Sequence, residues 1–373
     1  MRDRDPLEDW QMCGWLIRAD EETQQAQQRQ AIQALDNLAA LLASKPPSGG
    51  KKEQLGGITL SQWSTVALPP EQRRRAEELY PALVERGGMG STHVQAGLLT
   101  LVAFGLSEES LPFWARVLDY NRPRDTFAVQ RRRFALAALA FLAIRGNSSA
   151  AFSALSAAAR HPLDSVRGLA VLYLAAAYQT TDQPLPAEVV AQLSEIAIYD
   201  KAFEARFFAR AALRAAELPV PCDNPAGTYA FKVKLKYDKD FHCVIELLSK
   251  QTLEDLHLAI QSAYKWDNDH LYAFYLNGEK YDQRFEFGVS DDSPCYTHEG
   301  VIGELGLVVG HKFLYYFDFG DSHEFEVKVT GTTAKASAEK YPRVVESKGK
   351  APKQYHWGDW DGEDDEDDDD DEE

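Results

Sequence analysis

The residues best suited to chemistry gather at Asp318-Phe319-Gly320-Asp321 and His323, with Trp266, Asp267, His270 and Tyr272 upstream. Carboxylates supply hard oxygen donors and a neutral imidazole supplies nitrogen. If they converge from separate segments, they can hold a divalent cation at about 2.0–2.6 Å or a cationic ligand. The competing structural role is a tight turn in which Gly320 takes a positive φ and Asp318 or Asp321 accepts hydrogen bonds from free amides. Asp-Phe-Gly also occurs as a kinase metal-binding motif. Here no glycine-rich nucleotide loop and no His-Arg-Asp catalytic loop precede it, which removes that reading.

Other motifs point away from catalysis. His242-Cys243 and Cys295 with His298 offer zinc ligands, yet neighbouring strand residues face opposite ways and do not readily share one ion. Gly87-Gly88-Met89-Gly90 lacks the lysine of a phosphate loop, and no Gly-x-Ser-x-Gly nucleophile turn occurs. No cofactor is indicated. Two arginine runs, Arg73-Arg74-Arg75 and Arg131-Arg132-Arg133, each sit near the start of an apparent helix. They are candidate partner-binding residues, lining a groove for phosphate or acidic peptide, with solvated helix faces as the alternative.

Charge narrows the partner class. The chain carries 58 acidic residues against 40 Lys plus Arg, a net of −18 over 373 residues. Thirteen of those acids lie in 359–373, so the rest is close to balance and lacks the excess of a nucleic-acid binder. Such a block repels itself and has little to bury, which predicts a disordered tail, either solubilising or docking on something basic. Protein leads as the partner, nucleic acid comes second, and no membrane is expected. The oligomeric state is not set by the sequence. No apolar run approaches a bilayer span, the start lacks the order of a signal peptide, and four scattered cysteines suit a reducing compartment. Together these predict a cytoplasmic protein.

The elements that must position these residues fall into two kinds. Residues 21–220 read as successive Ala- and Leu-rich helices, following an unassigned segment 1–20. A frame of Val-Arg type recurs at Val94-Gln95, Arg131-Arg132, Val166-Arg167 and Ala205-Arg206, with small or apolar residues three and seven positions beyond. Its steps of 35 to 39 residues match helix-pair solenoids. This region resembles HEAT-type repeats, a likeness covering roughly 70–217.

Residues 221–358 have another character. Period-two alternation predicts strands at 229–237, 241–247, 270–276, 312–318 and 325–329, and Thr252 caps a helix over 253–264. The fold class is therefore a multidomain chain: an all-α HEAT-like helical array, an α+β domain with a largely antiparallel sheet and one main helix, and a disordered acidic tail at 359–373. The series Trp266-Asp267-Asn268-Asp269-His270, then Tyr316-Phe317-Asp318-Phe319-Gly320-Asp321, then Tyr341-Pro342-Arg343 resembles the plasmid pRiA4b ORF-3-like family in order and spacing.

The resemblance implies an α+β fold and a link to mobile elements, with no defined reaction. It adds Arg343 to the candidate ligand-binding set of Trp266, Asp267, His270, Tyr272, Asp318, Asp321 and His323. Where many relatives carry Trp and then His after the Asp-Phe-Gly-Asp element, this chain has His323 and Phe325. The expectation is a non-enzymatic interaction or scaffold protein. The alternatives are a mobile-element-associated nucleic-acid-binding accessory protein with an autoinhibitory tail, and a metal-dependent enzyme.

Overall fold

A computed structural model of the protein describes residues 21–44, 68–86, 91–103, 106–120, 125–238 and 240–355. The segment 1–20, the loop signals at 45–50, 87–90 and 121–123, and the acidic tail at 359–373 lie outside these residues. The chain divides into two compact units, Met1–Pro221 and Cys222–Glu373.

In the first unit the described helices are α1 (Glu21–Ala43), α2 (Pro70–Arg86), α3 (Ser91–Ala103), α4 (Leu111–Asp119), α5 (Ala128–Gly146), α6 (Ser149–Ala158), α7 (Asp164–Thr180), α8 (Ala187–Tyr199) and α9 (Phe203–Ala215). Helices α3, α5, α7 and α9, which carry the recurring frame, lie side by side in that order. Helices α2, α4, α6 and α8 pair with these along the array, and α1 packs on α2. Small residues make the close approach possible: α5 buries Ala135, Ala138, Ala140 and Ala143. A Cβ at Gly168 of α7 would stand 2.8 Å from Cβ of Glu204 in α9.

The frame arginines tie each helix to the turns around it. Arg131 is fully buried; it pairs with Asp125 at 2.5 Å and donates to the Tyr120 carbonyl at 2.6 Å and to Gln95 Oε1 at 3.2 Å. Arg132 Nε donates to the Leu118 carbonyl, and Arg167 grips Asp200 through Nε and Nη2 at 2.7 and 2.8 Å. Arg206 Nη1 donates to the Asp200 and Lys201 carbonyls. Each arginine thus satisfies carbonyls or carboxylates at helix ends that would otherwise be left unpaired.

This corrects the expectation of a partner-facing arginine groove. Arg73, Arg131 and Arg132 are buried, and Arg73 donates to Glu109 while Arg75 pairs with Asp36 at 2.6 Å. Arg74 and Arg133 are the exposed members of the two runs. Consecutive helical residues fan around the axis by roughly 100°, so a run of three necessarily sends part of its charge inward.

The second unit is one sheet with strand order β4-β3-β5-β6-β1-β2-β7. Its strands are β1 (Thr228–Leu235), β2 (His242–Leu248), β3 (Tyr272–Tyr275), β4 (Glu286–Gly288), β5 (Lys312–Phe317), β6 (His323–Thr333) and β7 (Arg343–Lys348). Every pairing within it is antiparallel. The helix α10 (Leu253–Tyr264) buries Leu253, Leu256, Ile260 and Tyr264. Tyr229, Phe231, Val233 and Leu235 are the buried side of β1, while Lys232 and Lys234 lie on its other, half-exposed side. Thr252 caps α10 as expected, in a reciprocal capping box with Asp255. Strands β4 and β7 were not expected; the first is three residues long and the second is an edge strand with mostly exposed side chains. Among the described residues no helix is long and apolar enough to cross a membrane.

Arg131→Ala strands the Asp125 carboxylate away from water and should destabilise the chain by about 3–5 kcal/mol, whereas Arg133→Ala should stay within about 0.5 kcal/mol. Urea midpoints of the two variants check the contrast.

Candidate functional site

At one end of the sheet the turn from β5 to β6 is organised by Asp318. Its Oδ1 accepts from the amides of Gly320 at 2.8 Å and Asp321 at 3.2 Å, and its own N–H donates to the Leu271 carbonyl at 3.0 Å. The amide-accepting role expected of Asp318 is present. The positive φ falls on Asp318 at 57° and Ser322 at 59°, not on Gly320. Aspartate tolerates this region because its short side chain bonds locally. Gly320 supplies room instead, since a Cβ there would stand 3.2 Å from Asp318 Oδ1.

One ligand atom from each of Asp318, Asp321 and His323 lies within 4.8 Å of the others. Asp318 and His323 are buried while Asp321 is exposed. The Oδ2 of Asp318 is 3.5 Å from Nε2 of His270, which is partly exposed. Tyr237, just beyond β1, meets Nδ1 of His323 at 2.5 Å. Burial, with Asp238 and Asp321 nearby, pushes the Tyr237 hydroxyl up to about 12, so at neutral pH it retains the proton it can share with His323.

Beneath this cluster is a buried polar pin. His257 of α10 stacks on Tyr272 with ring centroids 3.4 Å apart, and its Nδ1 and Nε2 lie 2.7 Å from Tyr315 Oη and Asn268 Oδ1. Gln261 donates to the same Tyr315 oxygen at 2.8 Å. The donors run in one direction: Gln261 to Tyr315, Tyr315 to Nδ1, and Nε2–H to Asn268. Desolvation lowers the His257 pKa to about 4, and the ring stays neutral. The 266–270 loop is also held from outside by the 352–355 segment. Trp266 Nε1 donates to the Pro352 carbonyl, Gln354 exchanges hydrogen bonds with the Asp267 backbone, and Tyr355 Oη donates to Asp269.

The structure therefore brings His270, Asp318, Asp321 and His323 together. Trp266 is buried with its ring centroid 4.7 Å from that of His323, and Tyr272 is buried on His257 with its hydroxyl on Thr297. The Asp267 side chain is exposed and its backbone anchors Gln354. Arg343 does not join them: it grips Glu246 through two nitrogens at 2.8 and 2.7 Å on β7, the edge of the sheet far from β3. Sequence reasoning missed Tyr237, Leu271 and Phe319, which are 55%, 54% and 45% exposed around the cluster. Their large apolar side chains beside charged residues were a usable signal.

Residues 228–362 match the family described as plasmid pRiA4b ORF-3-like protein. That match falls almost wholly within the second unit. The chain is similar to the uncharacterized protein y4hQ of Sinorhizobium fredii, at 30% identity over 113 residues, 29% of this chain and 55% of y4hQ. It thus spans about half the length of that relative. It is also similar to the crystal structure of MM3350, a protein of unknown function from Methanosarcina mazei Go1. There the identity is 22% and the TM-score 0.30, over 34% of this chain and 71% of that one.

The neutral His257 makes the second unit acid-sensitive. Its imidazole titrates near 6.5 when unfolded and about 4 when folded, so as pH falls the unfolded state gains the proton first. The His257 contribution should hold above pH ~6.5, fall by up to about 3 kcal/mol between ~6.5 and ~4, and level off below, where loss from the low-titrating Glu246, Asp282 and Glu324 takes over. Urea midpoints against pH should show this loss, with a flatter profile in His257→Gln.

Proposed function

We propose that the chain is a non-enzymatic interaction protein, in which a HEAT-like helical array acts as the platform and the sheet end of the ORF-3-like domain recognises a protein segment. The observation that carries this reading is the juxtaposition of Tyr237, Leu271 and Phe319, all substantially exposed, with the exposed carboxylate of Asp321 and the half-open His270–Asp318 pair. Aromatic and aliphatic side chains around a few charges are the composition of a recognition surface. The acids favour a partner segment with a lysine or arginine between apolar residues. The side-by-side frame helices and their arginine ties support the repeat reading of the first unit. Burial of Arg73, Arg131 and Arg132 weakens the groove on which a nucleic-acid role leaned. Cys222 and Cys243 stand outside any disulfide, which suits a cytoplasmic setting.

A nuclease-treated pull-down with the full chain should recover protein partners that a Phe319→Ala, Asp321→Asn variant loses, by roughly tenfold or more for a hot-spot pair. Recovery unchanged in that variant overturns the reading.

Divalent-cation binding is the second reading, favoured by the convergence of Asp318, Asp321 and His323. With Oδ1 of Asp318 committed to the turn, Oδ2 is the oxygen nearer an incoming ion. Coordination through His323 Nε2 also requires Nδ1–H to donate to Tyr237, the reverse of the direction a neutral Nδ1 acceptor implies. Calorimetric titration with zinc or manganese should give a stoichiometric heat that Asp318→Ala and His323→Ala abolish. A flat titration removes this reading and leaves the first standing.

A further inference from the structure

The outer face of the ORF-3-like sheet, opposite α10, carries an unusual row. Lys312 on β5 lies directly across from Lys328 on β6, and Lys328 directly across from Lys232 on β1. Residues paired in this way place their side chains on the same face about 4.5–5.5 Å apart, and like charges so placed repel. Lys312 relieves its share through Glu326 at 2.9 Å, and Lys236 pairs with Glu324 at 2.8 Å. Lys232, Lys328 and the neighbouring Lys234 have no carboxylate within ion-pairing distance among the described residues. A row of half-exposed ammonium groups is built where the rest of the domain is acidic, since 221–358 hold more acids than bases.

We propose that the acidic run 363–373 of this same chain docks on the Lys232–Lys328–Lys312 row and covers it. Charge complementarity is the first support: the run is composed entirely of Asp and Glu. Position is the second. The last described residue, Tyr355, is fastened to Asp269 at the sheet end where β3 begins and β5 finishes. From there the eight residues to 363 reach up to roughly 26 Å. From that end the row is reached five residues back along β5, from Phe317 to Lys312, roughly 17 Å. Tethering is the third: a linked segment meets its site at an effective concentration in the millimolar range, which lets individually weak surface ion pairs add up. The tail then acts as an internal competitor for polyanions on this face, and the contact loosens as salt screens it.

The test uses the full-length chain throughout. A fluorescein-labelled peptide of sequence EDDEDDDDDEE is the probe, and a variant with all acids of 363–373 changed to Asn or Gln has the tail charge removed. In low salt, near ~50 mM, that variant should bind the probe roughly tenfold more tightly than wild type, and Lys232→Thr with Lys328→Thr should abolish the gain. Zero-length carbodiimide coupling of the wild-type monomer should link 363–373 to Lys232, Lys234 or Lys328, with the yield falling several-fold in high salt. Equal probe binding by wild type and the neutral-tail variant overturns the proposal. So do couplings spread evenly over all surface lysines, or links found only between two copies. If the neutral-tail variant gains affinity for labelled duplex DNA while wild type forms no tail links, the row is a nucleic-acid face and tail docking is wrong. The lysine variants relieve like-charge contacts, so melting temperatures equal to or above wild type show that any lost binding is not lost folding.

Discussion

The neutral imidazole of His257 is the constraint on which the second unit's candidate site depends. One ring joins three elements: α10 carries it, β5 meets it through Tyr315, and the 266–270 loop meets it through Asn268, with Tyr272 of β3 stacked on its face. The hydrogen bonds have one self-consistent direction, and that direction needs an uncharged ring. Position and protonation are therefore coupled. Were the ring to take up a proton, Tyr315 would face a donor where it now finds an acceptor, and the loop carrying Trp266 and His270 would lose its inner support.

Much of this arrangement was legible in the sequence because it rests on local rules. Thr252 with Asp255 is a capping signal, and the alternation of Tyr229, Phe231, Val233 and Leu235 against lysines defines which face of β1 is buried. The turn-forming role of Asp318 was legible for the same reason. Other features depend on tertiary context. Strand β7 has half-exposed or exposed side chains throughout and so lacks the alternation that marks a strand. Arg343 looked like a site residue by its order in the chain, yet strand order sends it to the far edge. The choice of Asp318 over Gly320 for the left-handed conformation follows from how β5 enters the turn, a three-dimensional property.

The two units use cations in opposite ways. In the helical unit the frame arginines are drawn inward, because a planar guanidinium can satisfy several carbonyls and a carboxylate at once at the ends of packed helices. In the second unit lysine stays on the open face of the sheet, where a flexible stem and a strongly hydrated head make burial costly. Counting Lys and Arg together conceals this difference. The arginine runs look the more basic in sequence, yet Arg73, Arg131 and Arg132 are buried while the lysines at every second position of β1 stay on the open face.

Asp318 shows how a structural residue can also be an open one. Its two oxygens are divided: Oδ1 closes the turn through two amides, and Oδ2 is turned toward His270. The division makes the turn rigid and fixes where the second oxygen stands, so that a guest meets a placed acceptor without first ordering the side chain. Asparagine would tolerate the same left-handed backbone and could keep the turn through its carbonyl oxygen, but it would present an amide nitrogen to His270 in place of an acceptor. The chemistry of this end therefore depends on the carboxylate itself, and the fold depends only on one of its oxygens.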